Sequence, residues 1–327
     1  LNRSEAEPDQ APPPGLALPR EFSLIDRHFR PLAAAAARNL ADDAAVLAIP
    51  PGDQLVISAD AMNEGVHYLP GTDPGLLARK LLRVNLSDLA AMGATPLGYL
   101  ITLALRPDTT DAWFAAFAAG LAEDQRVYGL CLLGGDSTAI GGPASLSLTI
   151  LGTVPAGGAI GRSGAVPGDG IWVSGTIGDG ALGLAALRGE LADPTGHLAG
   201  RYHLPTPRLG LADGIAHAAI DISDGLFAEL GHLARGAALT IDIDSARVPL
   251  STAAQAAGPA WRARALQGGD DYELLLAVPP EAEATLATRA SALDIAVTRI
   301  GQCRTGPPAL RLDGAPLQAA GWSHFSL

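Results

Sequence analysis

Residues 219–225, Ala219-Ile220-Asp221-Ile222-Ser223-Asp224-Gly225, carry the pattern on which the fold turns: an apolar run that ends in small residues and acids and is closed by a glycine. The same grammar recurs at Leu55-Val56-Ile57-Ser58-Ala59-Asp60, at Leu132-Leu133-Gly134-Gly135-Asp136-Ser137-Thr138, and where Asp42-Asp43 adjoins residues 44–47. Short apolar runs bounded by turn residues read as buried strands. Strand ends are where a rigid scaffold aims functional groups, and small neighbours let a ligand approach the backbone. Any one of these aspartates, taken alone, reads as a helix cap or a turn residue. Four such sites together favour a shared purpose, because gathered carboxylates repel one another unless cations lie between them. Mg²⁺ takes oxygen ligands, keeps part of its water and bridges to phosphates, which suits a dispersed set of aspartates.

Outward from these runs, helical and strand-like patterns alternate. The spacing predicts a helix over 21–38, short strands over 44–49 and 54–58, a long helix over 74–92, a strand over 97–105 and a helix over 110–128. Strands over 130–133 and 145–154 complete the first half. The pattern pauses at Pro155-Ala156-Gly157-Gly158, which predicts a boundary between residues 21–155 and 156–327. The second half is read as a strand over 171–174, helices over 181–188, 208–218 and 226–235, and strands over 239–243, 272–278 and 296–300. Residues 1–20, with Pro12-Pro13-Pro14, read as a tail or linker. The expectation is an α/β fold with mixed sheets, in two domains that face each other across a cleft.

Bulk properties narrow the function. A chain of 327 residues, 48% hydrophobic, is long enough for two cores. A net charge of −12 argues against a nucleic-acid partner, which needs a basic face. Two cysteines, Cys131 and Cys303, argue against a disulfide framework and for a reducing compartment, the cytoplasm by default. No apolar run reaches membrane-spanning length, and the polar, Pro-rich start is unlike a signal peptide, so no membrane association is expected. Lys80 is the one lysine in the sequence, so no G-x-x-x-x-G-K-[ST] phosphate loop exists.

Three further features stand out. Gly178-Asp179-Gly180-Ala181-Leu182-Gly183 is a G-x-G-x-x-G after a strand, but residues 194–201 supply no second strand ending in a ribose-binding acid. A tight strand-to-helix turn is the preferred reading, with amides free to face an anion. Asp88 lies within the helical run Val84-Asn85-Leu86-Ser87-Asp88-Leu89-Ala90-Ala91-Met92-Gly93, either beside a surface stripe or held against a cation. His67, beyond the strand that carries Asp60, is read equally as a surface histidine or a phosphate contact.

At this point the blocks Glu21-Phe22-Ser23-Leu24-Ile25, Asn85 through Ala94, Gly134-Gly135-Asp136-Ser137-Thr138, Arg162-Ser163-Gly164, Ile220 through Leu226 and Gly268-Gly269-Asp270-Asp271-Tyr272-Glu273-Leu274 resemble the thiamine-monophosphate kinase family, in order and from about residue 21 onward. Its superfamily includes aminoimidazole ribonucleotide synthetase and selenophosphate synthetase. The resemblance implies a homodimer formed through the N-terminal domain and an interdomain active site. It implies ATP and thiamine monophosphate as substrates, with several Mg²⁺ ions held by Asp43, Ser58, Asp60, Asp88, Asp136, Asp221 and Asp224. Among these Asp60, Asp88 and Asp136 would be catalytic. Gly135, Asp136, Arg162 and Ser223 would contact ATP, and His67, Asp270 and Trp322 the thiamine phosphate, with Trp322 offering a stacking face.

The chain departs from the family at three positions: Ala41 stands where Gly is usual, Ala59 where Thr is usual, and Asp270 where Glu is common. Ala59 lacks a hydroxyl that would contact a metal. The alternatives are another ATP-using member of the superfamily, a nucleotide- or thiamine-binding protein without turnover, and a Mg²⁺-dependent phosphatase. Selenophosphate synthesis is disfavoured because no cysteine precedes Cys131.

Overall fold

A computed structural model describes residues 19–322 and 324. The proposed tail lies almost wholly outside the described residues. In chain order the first half contains α1 (Arg20–Leu24), β1 (Asp53–Asn63), α2 (Pro74–Ala91), β2 (Thr95–Leu105), α3 (Asp111–Tyr128), β3 (Cys131–Ala139) and β4 (Ser145–Pro155). Its four strands form one sheet in the order β1-β4-β2-β3, antiparallel except for the β2–β3 pair. One face, with Val56, Tyr99, Ile101, Leu146, Leu148 and Ile150, is buried with α2 and α3 in a common core. The other face is open and exposes Leu55, Ile57 and Leu100.

The second half contains β5 (Gly170–Ser174), α4 (Asp179–Leu187), α5 (His197–His203), β6 (Ala218–Asp221), α6 (Leu226–Gly236), β7 (Thr240–Ile243), α7 (Thr252–Ala256), α8 (Arg262–Gln267), β8 (Leu274–Val278), α9 (Glu283–Ala292), β9 (Val297–Arg304), β10 (Ala309–Leu312) and β11 (Ala315–Leu317). Its seven strands run β11-β10-β7-β9-β5-β8-β6. The fold class is therefore α/β with two mixed sheets.

Helix α2 joins the halves. Asp73 caps it by accepting from Leu76 N at 3.0 Å, and Pro74 occupies its first turn, where no amide is needed. Leu81, Leu82, Leu86 and Leu89 pack into the first core. Ala90 and Ala91 pack with Ile160, Ala219, Leu274 and Leu276 of the second half. A helix buried on both sides has little room for unpaired charge, so the polar residues it carries matter.

Several predicted elements are absent. Residues 21–38 are not one helix: α1 is followed by a π turn and a short 3₁₀ turn containing Pro31, then a second 3₁₀ segment interrupted by left-handed Arg38 and Asn39. Pro31 supplies no amide to continue the ladder. Residues 44–49 form no strand; Val46 N donates to Ala36 O at 3.0 Å. The helix expected over 208–218 is a series of turns with Gly210 and Gly214 at positive φ, and β6 begins at its end. Strand β3 runs well beyond 130–133, and α5 and α9 were not anticipated.

Candidate active site

The aspartates fall into two groups. Alternation along β1 puts Ser58 and Asp60 on the helix-covered face of the first sheet. Ser58 Oγ donates to Asp88 Oδ2 of α2 at 2.6 Å, and Asp60 N donates to Asn85 Oδ1 at 3.1 Å. From the other side, β6 ends at Asp221, and Asp224 follows in the turn that opens α6. The halves thus meet along a line of carboxylates formed by Asp60, Asp88, Asp221 and Asp224.

Their proton affinities show the crowding. Burial, then the charges of Asp88 and Asp224, push Asp60 up to about 6. Burial raises Asp88 against the opposing Ser58 hydrogen bond and the Arg162 charge. Burial, with Asp88 and other acids adding to it, lifts Asp221 well above the usual carboxylate range. Asp224 is raised by burial as well. A fifth acid, Glu229 of α6, was not anticipated: burial pushes it to about 7 while it accepts from Asp224 N at 3.3 Å. The charge of Arg162, just after the first sheet, acts against the rise at Asp88 and Glu229.

Asp43, Gly135 and Asp136 form the second group. They line a cavity of about 610 Å³ with Leu100, Thr102 and Thr149. In strand register Asp136 pairs with Thr102, Thr102 with Ser147, and Ser147 with Ala61. Asp136 therefore lies in the row of Ala61, not of Asp60, and faces the open side of the sheet. It is also on the far edge strand, roughly 14 Å from β1 at the usual strand spacing. Within this chain the structure does not bring Asp43 and Asp136 to the cleft acids. Among the described residues no three His, Cys, Asp or Glu side chains converge as a ready metal site.

Beside these acids stand His67, Asp270 and Trp322. His67 is half-buried; its Nδ1 accepts from Asn63 N at 3.0 Å, which, among the described residues, leaves Nε2 as the ring nitrogen available to a ligand. Burial, then neighbouring His324, lowers its pKa. The His67 and His324 rings lie 4.9 Å apart, and Trp322 meets His324 edge-on at 5.9 Å. Trp322 N donates to Asp224 O at 3.0 Å, so the C-terminal segment crosses the cleft beside the acids while the indole stays exposed. Ser323 and Phe325, in the same block, lie outside the described residues.

The segment 268–274 is rigid for identifiable reasons. Gly269 passes so close to Ser223 O that a Cβ there would sit 2.1 Å from it, and Ser223 O accepts from Asp270 N at 2.9 Å. Asp271 takes the anion position of the glycine turn: Gly178 N and Gly180 N donate to its two oxygens at 2.7 and 3.0 Å. Glu273 is clamped by Arg201, Arg208 and Ser174. The glycine motif therefore binds the protein's own carboxylate and is not open to a dinucleotide pyrophosphate.

Residues 41–154 match the AIR synthase related protein N-terminal domain, and residues 166–309 the C-terminal domain of the same family. A thiamine-monophosphate kinase of Caulobacter vibrioides is 44% identical over 309 residues, covering 90% of this chain and 87% of that protein. The chain belongs to the thiamine-monophosphate kinase family. Among solved structures, the thiamine-monophosphate kinase of Stenotrophomonas maltophilia superposes with a TM-score of 0.81 at 39% identity, covering 91% of this chain and 98% of that one. AaThiL complexed with AMPPCP and TMP superposes with a TM-score of 0.77 at 30% identity, covering 93% and 97%.

Within this family frame, sequence reasoning missed Glu229, His324, Lys80 and Tyr202. Glu229 stands five residues after Asp224, and His324 two after Trp322; proximity to an assigned residue was the only available signal. Lys80 was noticed solely because no phosphate loop contains it.

Proposed function

We propose that this chain transfers the terminal phosphoryl group of ATP to the phosphate of thiamine monophosphate, giving thiamine diphosphate and ADP, the final step of thiamine diphosphate formation. The observation that carries this reading is the line of Asp60, Asp88, Asp221 and Asp224 between the two halves, with proton affinities raised by burial in all four and further by neighbouring acids of the line at Asp60 and Asp221. Hard oxygen donors in such excess fit Mg²⁺, and Ser58, Asp60, Asp88, Asp221 and Asp224 would hold it from the cleft side. Mg²⁺ bound there supplies positive charge that neutralises phosphate oxygens and lets two anionic substrates approach.

In-line phosphoryl transfer needs alignment more than a covalent nucleophile. The acceptor oxygen is already ionised at neutral pH, so no strong general base is required. Arg162, beside Asp88 and Glu229, would pair with ATP phosphate oxygens, and Ser223 would approach ATP from the turn before α6. His67 Nε2 and the Asp270 carboxylate would orient thiamine monophosphate, with exposed Trp322 as a stacking surface. Asp43, Gly135 and Asp136 would contribute from the open face, where the 610 Å³ cavity runs. The apolar side chains exposed on that face, Leu55, Ile57 and Leu100, support pairing with a second copy as a homodimer.

The division into residues 21–155, carrying metal and dimer contacts, and 156–327, completing the substrate site, is part of the same proposal. Both cysteines are free, which supports a cytoplasmic setting. No described helix is long and apolar enough to cross a membrane.

The test is incubation of the purified chain with ATP, Mg²⁺ and thiamine monophosphate. Stoichiometric thiamine diphosphate and ADP are expected. ADP with free phosphate alone would indicate a phosphatase, and binding of both substrates without turnover would indicate a binding protein.

A further inference from the structure

We infer that Lys80 and Tyr202 form a positioning pair that sets His67 and Asp270 relative to each other across the cleft, and so fixes the seat of the acceptor substrate. This rests on the proposed function, which places His67 and Asp270 at thiamine monophosphate.

Three side chains and the backbone carbonyl of His67 make the case, and they come alternately from the two halves. Lys80 projects from α2 with its side chain only 3% exposed. Its Nζ lies 3.5 Å from the centroid of the Tyr202 ring and 3.2 Å from Asp270 Oδ1. Among the described residues it has no aligned hydrogen-bond acceptor, and a ring face and one carboxylate hold the ammonium. Tyr202, from α5, is 1% exposed, and its hydroxyl donates to His67 O at 3.0 Å. Displacing the tyrosine would therefore disturb both Lys80 and the backbone of His67.

Asp270 needs such support. Its backbone φ of 70° is in the left-handed region, where a non-glycine residue is held by its surroundings. Its neighbours Asp271 and Glu273 are engaged by the Gly178 and Gly180 amides and by the two arginines. Lys80 is the cation paired with Asp270 itself. A desolvated ammonium left without its carboxylate is strongly unfavourable, and a ring face attracts it most when water is excluded. Burial lowers the Lys80 pKa, and the Asp270 charge opposes that effect.

An ion pair that only fastened the two halves together would affect both substrates alike. A positioning pair affects the acceptor alone. Steady-state kinetics of the full chain separate the two, using Lys80→Met, Asp270→Asn, the double variant and Tyr202→Phe. Lys80→Met should raise KM for thiamine monophosphate by ~10-fold or more and KM for ATP by less than about twofold. In the Asp270→Asn background the same change should add almost nothing, since the two residues act as one unit. Tyr202→Phe keeps the ring under Lys80 and loses the hydroxyl, so it should raise the same KM by a smaller factor, about two- to fivefold. It remains informative if Lys80→Met fails to fold. Equal rises in both KM values, multiplicative effects of Lys80→Met and Asp270→Asn, or an unaltered Tyr202→Phe would each overturn the inference while leaving an active wild type. A wild type that makes no thiamine diphosphate would instead remove the proposed function, and this role with it.

Discussion

Two acid-rich stretches of this molecule look alike in sequence and behave oppositely in the fold. In residues 268–274 the acids are matched internally: Asp271 by two amides, Glu273 by two arginines and a serine, Asp270 by Lys80. Burial, and less strongly Asp179 and Glu273, push Asp271 up, but two fixed amide protons oppose them. In the cleft, more carboxylate adds to burial around Asp60 and Asp221. The first stretch is finished within the chain, whereas the second, on the proposed function, would be completed by a ligand that brings positive charge. Unmatched acid, more than acid count, therefore marks the reactive region.

The largest expected effect falls on the cleft. Asp88→Asn should lower kcat by ~10²-fold or more, because on the proposed function a Mg²⁺ ligand would be lost where phosphate charge must be neutralised. Its thermal midpoint without metal should be no lower than wild type, since repulsion is relieved. A variant with near-normal turnover would remove Asp88 from the site.

The matched stretch should respond in the opposite sense. Glu273→Gln leaves Arg201 and Arg208 facing a neutral amide, and loss of one partner of a buried ion pair costs about 3–5 kcal/mol. Urea unfolding should show that loss with or without Mg²⁺. A midpoint unchanged from wild type would mean the clamp contributes nothing.

A smaller effect separates the two stretches by pH. Asp60 binds its proton more tightly when folded, with a pKa of about 6 against an ordinary 3.8. Below the unfolded value both states are protonated and the group contributes nothing. As pH rises toward the folded value the unfolded state releases its proton first, so this group increasingly destabilises the metal-free fold, reaching its full effect above about 6. Asp60→Asn should therefore be more stable than wild type at pH 7.5 without metal, and that gap should close both near pH 4 and on adding Mg²⁺. A gap independent of pH would contradict the shift.

How much of this was legible beforehand follows from which contacts are local. The long helix over 74–92, the helix over 110–128 and most strands were readable because their apolar periodicity is local; of the cleft aspartates only Asp221 ends a strand as its pattern suggests, whereas Asp60 lies inside β1 and Asp88 inside α2. Residues 44–49 look like a strand but have no ladder partner, and residues 208–218 look helical until Gly210 and Gly214 take positive φ. Strand pairing separates Asp136 from Asp60, and sheet register is a long-range property that spacing cannot show. Lys80, Tyr202 and Asp270 are similarly far apart in sequence and meet only through packing.

The smallest expected effect concerns Ala59, the departure from family pattern next to Asp60. Its side chain lies in the row of Thr149, on the open face. If a hydroxyl there serves a metal, Ala59→Thr should lower the free Mg²⁺ needed for half-maximal rate by about two- to fivefold, with little change in KM for thiamine monophosphate. Superimposable Mg²⁺ curves would show that no side-chain ligand is needed at residue 59.

The most direct measurement is the Mg²⁺-induced shift in thermal midpoint at pH 7.5, taken for wild type, Asp221→Asn and Asp271→Asn, each against its own metal-free control. A cation bound to the folded state raises the midpoint through linkage. Wild type and Asp271→Asn should both show the rise, and Asp221→Asn should largely lose it. Equal shifts in all three would place the cation elsewhere and contradict the distinction between matched and unmatched acids.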